Sequence, residues 1–412
     1  MTTTVVRAGR LADVAEGTLL EDVAITIAGE RIESVVPWAE APEGSIVDLS
    51  GATVVPGLID CHAHMVGDLD DGHGYAGLVM TSSAQEVMTG VRNARDTVLA
   101  GFTTVRDVGT FRAFADLALR DGIDRGWTPG PRMQCAGAYV TCPGGGGDVT
   151  GLAVDVDAAV PRELRFGVAA NIEEARDATR RILHGGADFI KVIATGAVMT
   201  EGTNPGAPEF SEEELRAIVE EAELYGTFVA AHAHGAEGIK RAIRAGVRSI
   251  EHGSLMDDES IAMMAEHGTW LVADIYCGDW IAEQGRAQGW SPNVLRKNDE
   301  TTDAQREGFA KAVAAGVKIA YGTDSGIYPH AMVATQLPYM VRHGMTPMQG
   351  LQAASIRAAE LMGWEDRVGS IAPGRFADLV AVEGHDLGDL SAFASPVLVM
   401  KGGEVLVDRA AQ

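Results

Sequence analysis

An α/β fold, with a (β/α)8 barrel and a small β domain built from both chain ends, is predicted by three observations. The middle of the chain alternates short apolar runs with longer helical patterns, eight of each. Both ends read as strands. The 412 residues, 46% apolar, exceed the about 250 that such a barrel commonly takes, which leaves room for a second unit.

The ends come first. Residues 5–11 read as a strand, and 23–27 and 31–36 as a hairpin with Gly29 in its turn and β-branched residues on both sides. Residues 377–382, 397–400 and 405–407 have the same texture, with Gly402 and Gly403 between the last two. The expected division is residues 1–56 with 366–412 as the β domain, and 57–365 as the barrel.

In the middle, Val54 to Ile59 is an apolar run too short for an ordinary helix, and it leads into His62 and His64. The other expected strands are 103–105, 132–135, 189–193, 228–232, 248–252, 271–274 and 317–321. Helical patterns cover 83–100, 113–125, 171–185, 211–225, 235–245, 258–267, 300–315 and 331–343. Several end at Gly101, Gly186, Gly246 or Gly316, a helix-terminating glycine followed directly by a strand. Long inserts at 138–170, 195–210 and 275–299 follow strand C-terminal ends, the face where barrel enzymes place their sites. The first insert contains Pro143 followed by Gly144 to Gly147 and Asp148. It lacks the Lys-Ser/Thr of a phosphate-cradling loop and does not open into a helix, so it reads as a loop at the site mouth.

Composition excludes some classes. A net charge of −25 argues against nucleic acid or an anionic membrane as partner and for a soluble acidic surface. No apolar run approaches the roughly 20 residues that span a bilayer. The start, Met1-Thr2-Thr3-Thr4, shows no basic segment followed by an apolar one, so no signal peptide is expected. Cys61, Cys135, Cys142 and Cys277 form no CxxC pair and read as reduced thiols of a cytoplasmic protein. A small-molecule substrate is the expected partner.

The chemistry lies in a coincidence of position. His62 and His64 stand two apart, and strand residues i and i+2 face the same way, so two imidazoles can share a divalent metal. Taken alone that pair is a weak signal. His232 ends the fifth strand, His252 the sixth, and Asp324 follows the eighth at once. Four histidines and an aspartate at the C-terminal strand ends of one barrel point to a shared metal site. Lys191 lies between Ile190 and Val192. Burial there would lower its pKa. The neutral amine could add carbon dioxide and become a carbamate that bridges two cations. The alternative is a lysine paired with a buried carboxylate.

The stretches 56–64 (Pro-Gly-Leu-Ile-Asp-Cys-His-Ala-His), 189–191 (Phe-Ile-Lys), 231–235 (Ala-His-Ala-His-Gly), 250–253 (Ile-Glu-His-Gly), 322–326 (Gly-Thr-Asp-Ser-Gly) and 369–380 resemble the metal-dependent amidohydrolases over nearly the whole chain. They are most like the imidazolonepropionase-like and Xaa-Pro-dipeptidase-like branch. The resemblance implies a TIM barrel with a β-sandwich from both termini, a homo-oligomer, and a binuclear zinc centre. In that centre His62, His64 and Asp324 bind one ion, His232 and His252 the other, and carboxylated Lys191 bridges them. Such ligands also suit manganese, cobalt or iron.

The implied activity is hydrolysis of an amide or peptide bond in an N-acyl amino acid, dipeptide or aryl amide by a metal-bridging hydroxide. Asp324 would carry the proton to the leaving nitrogen. A cyclic-amide or imidazolone hydrolase, an ester or carbamate hydrolase, and a non-catalytic assembly protein are the alternatives. His234 and His330 are further catalytic or substrate-contact candidates, and Tyr139 and His73 further substrate contacts. Asp60 and Glu251 adjoin ligands but point to the opposite strand face. Tyr276, Trp280 and Trp290 could wall the site or pack within their own loop. Two departures from dipeptidase-like relatives, Gly146 in place of a loop histidine and His234 in place of a tyrosine, put prolyl-dipeptide specificity in doubt.

Overall fold

A computed structural model describes residues 3–67 and 77–409. The N-terminal strands are β1 (Thr4–Asp13), β2 (Thr18–Ala28), β3 (Arg31–Pro37) and β4 (Ser45–Pro56). Short strands β5 (Leu58–Ala63), β6 (Phe102–Asp107), β7 (Arg132–Cys135), β8 (Tyr139–Val140), β9 (Ile190–Ile193), β10 (Val229–Gly235), β11 (Ser249–Leu255) and β12 (Trp270–Val272) follow. Near the C-terminus stand β13 (Leu379–Glu383), β14 (Leu398–Lys401) and β15 (Glu404–Asp408).

Both chain ends share one seven-stranded sheet, in the order β15-β14-β13-β4-β1-β2-β3. Gly29, at φ +61°, makes the turn between antiparallel β2 and β3. Alternate residues such as Val6, Ala8, Ile25, Val54, Leu379 and Leu398 form its apolar core. The step from β4 to β5 is one residue, Gly57. A side chain there would strike Thr103 Oγ1, 2.2 Å from its Cβ position, so the first site strand enters from the terminal sheet through a glycine contact.

The middle strands are parallel and largely buried, β5, β6 and β10 along their whole length, as expected where helices cover the outer face. They form two sheets, β5-β6-β7 and β12-β11-β10-β9-β8. Asp188 N donates to Cys135 O (2.8 Å), which joins the lead-in of β9 to the end of β7. On the other side Leu271 N donates to Lys318 O (2.8 Å) and Cys61 N to Tyr321 O (2.8 Å), so residues 318–321 lie between β12 and β5. The expected strand at 317–321 is therefore a bonded segment with one bridge, Leu271 to Ile319, rather than a regular strand. Its ladder is interrupted because Tyr321 N turns to Ala353 O (2.9 Å).

Helices at Ser83–Leu99, Ala115–Asp124, Ile172–His184, Glu212–Leu224, Ala236–Ala245 and Asp258–His267 follow the apolar periodicity. Ser82 with Gln85 and Ser211 with Glu214 close capping boxes. Gly101, Gly186, Gly246 and Gly316 take positive φ, as chain reversal after a helix requires. Two expectations are corrected. The helix expected at 300–315 begins at Pro292, because Ser291 caps it and proline favours the first turn. The pattern at 331–343 splits into a 3-10 turn, His330–Thr335, and a helix, Gln336–Arg342. Pro347–Ala353 and Ile356–Met362, seven residues each, had no expectation. Among the described residues no helix is long and apolar enough to cross a membrane.

Candidate metal centre

The C-terminal ends of these parallel strands bring the expected histidines together. His62 is buried on β5. Its Nδ1 lies 2.8 Å from Glu251 Oε2. The other Glu251 oxygen accepts from Arg106 Nη2 (2.7 Å) and Ser249 Oγ (2.5 Å), and Arg106 Nε donates to Cys61 O (2.6 Å). Arg106 and Glu251 are both fully buried. Burial opposes ionisation of Glu251, but the Arg106 guanidinium and His62 outweigh it and hold the carboxyl well below its usual range. Glu251, expected to face away from its neighbour His252 as a supporting or packing group, orients His62 across the site.

The same device recurs. His64 Nδ1 donates to Gly109 O (2.8 Å), His252 Nδ1 to Asp274 Oδ1 (2.9 Å), and His234 Nδ1 lies 2.8 Å from Ser254 Oγ. With one ring nitrogen occupied, the other is aimed by the protein. His62 Nε2 stands 3.4 Å and His64 Nε2 3.2 Å from the same Asp324 oxygen. Because Gly109 O can only accept, the His64 Nδ1 that faces it carries a proton, and in the neutral ring the Nε2 lone pair then faces the carboxylate. His62, donating to Glu251, is in the same position, and its buried Nε2 has no hydrogen-bond partner. Lone pairs turned on a carboxylate are unfavourable unless a cation lies among them, so the donor set fits a divalent metal.

His232, on β10, has Nε2 3.4 Å from Gly196 O. Burial and the nearby His252 push His232 well below its ordinary pKa, and His234 down to about 3. Asp324 stays well below the carboxylate range despite burial, because His62, His64 and His252 stand around it. Three groups each have their donor atoms within 4.8 Å of one another: His62, His64 and Asp324; His232, His234 and His252; and His252, Asp274 and Asp324. His252 and Asp324 both take left-handed backbone, φ +70° and +58°. A non-glycine residue pays for that conformation, and here it falls on two site residues.

Lys191 is buried on β9, in register with Tyr139 on β8 and Ala230 on β10. Burial lowers its pKa to about 8, against the pull of Glu251 and Asp324. It lines the same cavity, of about 210 Å³, as His62, His64, His232, His252 and Asp324.

Other candidates separate. His234 and Tyr139 line the cavity, and the Tyr139 hydroxyl donates to Gly109 O (3.0 Å) beside His64. His330 is corrected: it does not line the cavity. Its Nε2 donates to His64 O (3.2 Å) and its Nδ1 is 3.1 Å from Thr97 Oγ1, so it braces a site histidine from behind. His73 lies outside the described residues. Tyr276 and Trp280 pack on Tyr328, which lies outside their insert in the segment after Asp324, while their neighbours Cys277 and Ile281 reach the cavity. Asp60 accepts from Thr323 Oγ1 (2.5 Å), which ties β5 to the segment before Asp324. Sequence reasoning assigned no role to Asp274. Its position at the end of the expected seventh strand was the available signal.

Residues 53–406 match the amidohydrolase family. An ochratoxinase of Aspergillus niger is 32% identical over 422 residues, covering 98% of this chain and 86% of that protein. An imidazolonepropionase of Deinococcus radiodurans is 27% identical, covering 89% and 87%. The crystal structure of a Xaa-Pro dipeptidase with bound methionine in its active site superposes with a TM-score of 0.89 at 36% identity, covering 98% of this chain and all of that one.

Proposed function

Because this chain belongs to the amidohydrolase family and is a hydrolase acting on C–N bonds, we propose that it cleaves an amide bond of a small substrate at a two-metal centre. His62, His64 and Asp324 would hold one ion, His232 and His252 the other, with carboxylated Lys191 between them. The observation that carries this reading is the pair of histidine Nε2 atoms turned on one Asp324 oxygen. Two bound divalent ions, zinc by ligand type, would lower the pKa of a shared water and polarise the substrate carbonyl. Asp324 takes the proton of the attacking water and delivers it to the leaving nitrogen. Ser254 turns His234, whose other ring nitrogen holds the substrate oxygen. Glu251, Asp274 and His330 fix ligands in place.

The same reading extends to architecture. The bonds that seat 318–321 between β12 and β5, and β9 beside β7, support a closed (β/α)8 barrel over 57–365. The shared terminal sheet supports a β-sandwich domain from 1–56 and 366–412. The four free cysteines are consistent with a cytoplasmic setting.

The test is metal analysis together with a panel of aryl amides, N-acyl amino acids, dipeptides and cyclic amides. The expected result is two metal equivalents per chain and turnover of a linear amide that chelation abolishes. Fewer than one equivalent at saturation, or turnover that survives complete chelation, contradicts it.

Lys191 makes a separate prediction. With a pKa of about 8, roughly a tenth of the amine is neutral at pH 7 and most of it at pH 9. Only the neutral form adds carbon dioxide. At a fixed concentration of dissolved carbon dioxide, reactivation of the metal-free protein by zinc is therefore expected to quicken as pH rises from 7 to 9, and Lys191→Met to show no carbon dioxide dependence. A pH-independent reactivation rate would remove the carbamate from the proposal.

A further inference from the structure

Among the described residues, the chain gives the cavity no lysine or arginine free to receive a carboxylate. Apart from Lys191, no lysine or arginine lines it among the described residues, whereas Glu86, Asp274 and Asp324 do. Lys191 is committed to the centre. The sequence over 68–76 contains three aspartates and one histidine, His73, but neither lysine nor arginine. Two cations hydrogen-bond to residues of the wall, and neither lines the cavity. Arg112 Nε donates to Glu86 Oε2 (2.9 Å), and its Nη2 to Leu78 O (2.8 Å) and Thr81 O (3.1 Å). Buried Lys297 donates to Ala197 O (2.8 Å) and Thr200 O (2.6 Å).

The wall has an apolar part beside Glu86 and the neutral threonines. Val66, Leu78 and Phe111 supply part of it, and Val198, Met199 and Ile281 supply more. Neutral polar groups such as Thr110 and Asn298 fill part of the remainder. Gly146 leaves little room for a side chain, since a Cβ there would lie 3.0 Å from Ile193 Cγ2 and 3.1 Å from Ala197 Cβ. A carboxylate held against this wall would be desolvated without a counter-charge. It would also approach a chain of net charge −25.

We infer that the substrate is an uncharged amide, apolar on both its acyl and its amine side, and carries no carboxylate within the cavity. This rests on the amide-hydrolase reading of the same site and narrows it, setting aside dipeptides and N-acyl amino acids. The occupant is an aryl or aralkyl amide that Phe111 and Met199 can cover.

The test uses a matched pair on the zinc-loaded protein. N-benzoyl-phenethylamine and N-benzoyl-phenylalanine differ only by the carboxylate. The neutral amide is expected to bind more tightly by calorimetry, and to be turned over with a higher kcat/KM, by about tenfold or more. Met199→Arg, which places a cation on the wall, is expected to reverse that preference. Equal or tighter binding of the acid to the unaltered protein overturns the inference, as does binding of neither compound. Preference for the neutral amide without hydrolysis of either would sustain this inference and defeat the amide-hydrolase reading, so the two fail separately.

Discussion

Asp324→Asn is expected to lower kcat by about a thousandfold or more while the protein stays folded. The asparagine keeps the size of the side chain and its backbone position at φ +58°. It removes the negative oxygen on which His62 Nε2 and His64 Nε2 converge at 3.4 and 3.2 Å. It also removes the group that accepts a proton, since an amide has no usable basicity near neutrality. Asp324 is ionised across the working range, because its pKa lies well below the usual carboxylate value. The loss should therefore persist at every pH where the unaltered protein works, and raising the pH should not restore it. Steady-state kinetics, metal content and far-UV circular dichroism on one preparation decide the matter. A rate within tenfold of normal would remove Asp324 from proton transfer.

Glu251→Ala is expected to be the most destabilising single change near the site. It strands the fully buried Arg106 without its 2.7 Å partner and frees His62 Nδ1. Removing one partner of a buried pair costs about 3–5 kcal/mol. The pH dependence has a definite sign. Glu251 has a folded-state pKa held below its unfolded value, so the stability it contributes is complete above the unfolded carboxylate pKa of about 4.3 and fades as pH falls toward the folded value. Denaturant midpoints at pH 7 and pH 4 should therefore show a larger gap between normal and variant protein at pH 7. Arg106→Met with Glu251→Leu together should recover part of the loss, because neither charge is then left alone. If Glu251→Ala matched the unaltered protein in midpoint and metal affinity, the buried network would have no supporting role.

Much of the site was legible because it lies on strands. Two-residue periodicity places side chains without any knowledge of loops, and His62, His64, Lys191, His232 and His252 line one cavity as that rule requires. What escaped depends on contacts across the sheet. Glu251 was read from its own strand, where it faces away from His252, yet it reaches His62 on β5. Asp274 acquires meaning only when β12 is set beside β11 and His252 finds it. His330 follows a proline after the last strand segment. Nothing local shows that it turns toward the His64 carbonyl rather than the cavity. The fold failed to read through in the same way at 317–321, where the apolar run is strand-like but its backbone bonds are divided among Leu271, Cys61 and Ala353.

The Nδ1 bonds that aim His62, His64 and His252 come from outside their own strands, from Glu251, Gly109 and Asp274. The direction of each ring is therefore set by a group that its sequence neighbours do not supply. Sensitivity to substitution accordingly spreads beyond the histidines. A change at Glu251, at Asp274 or in the turn at Gly109 moves a ring nitrogen while every histidine stays in place.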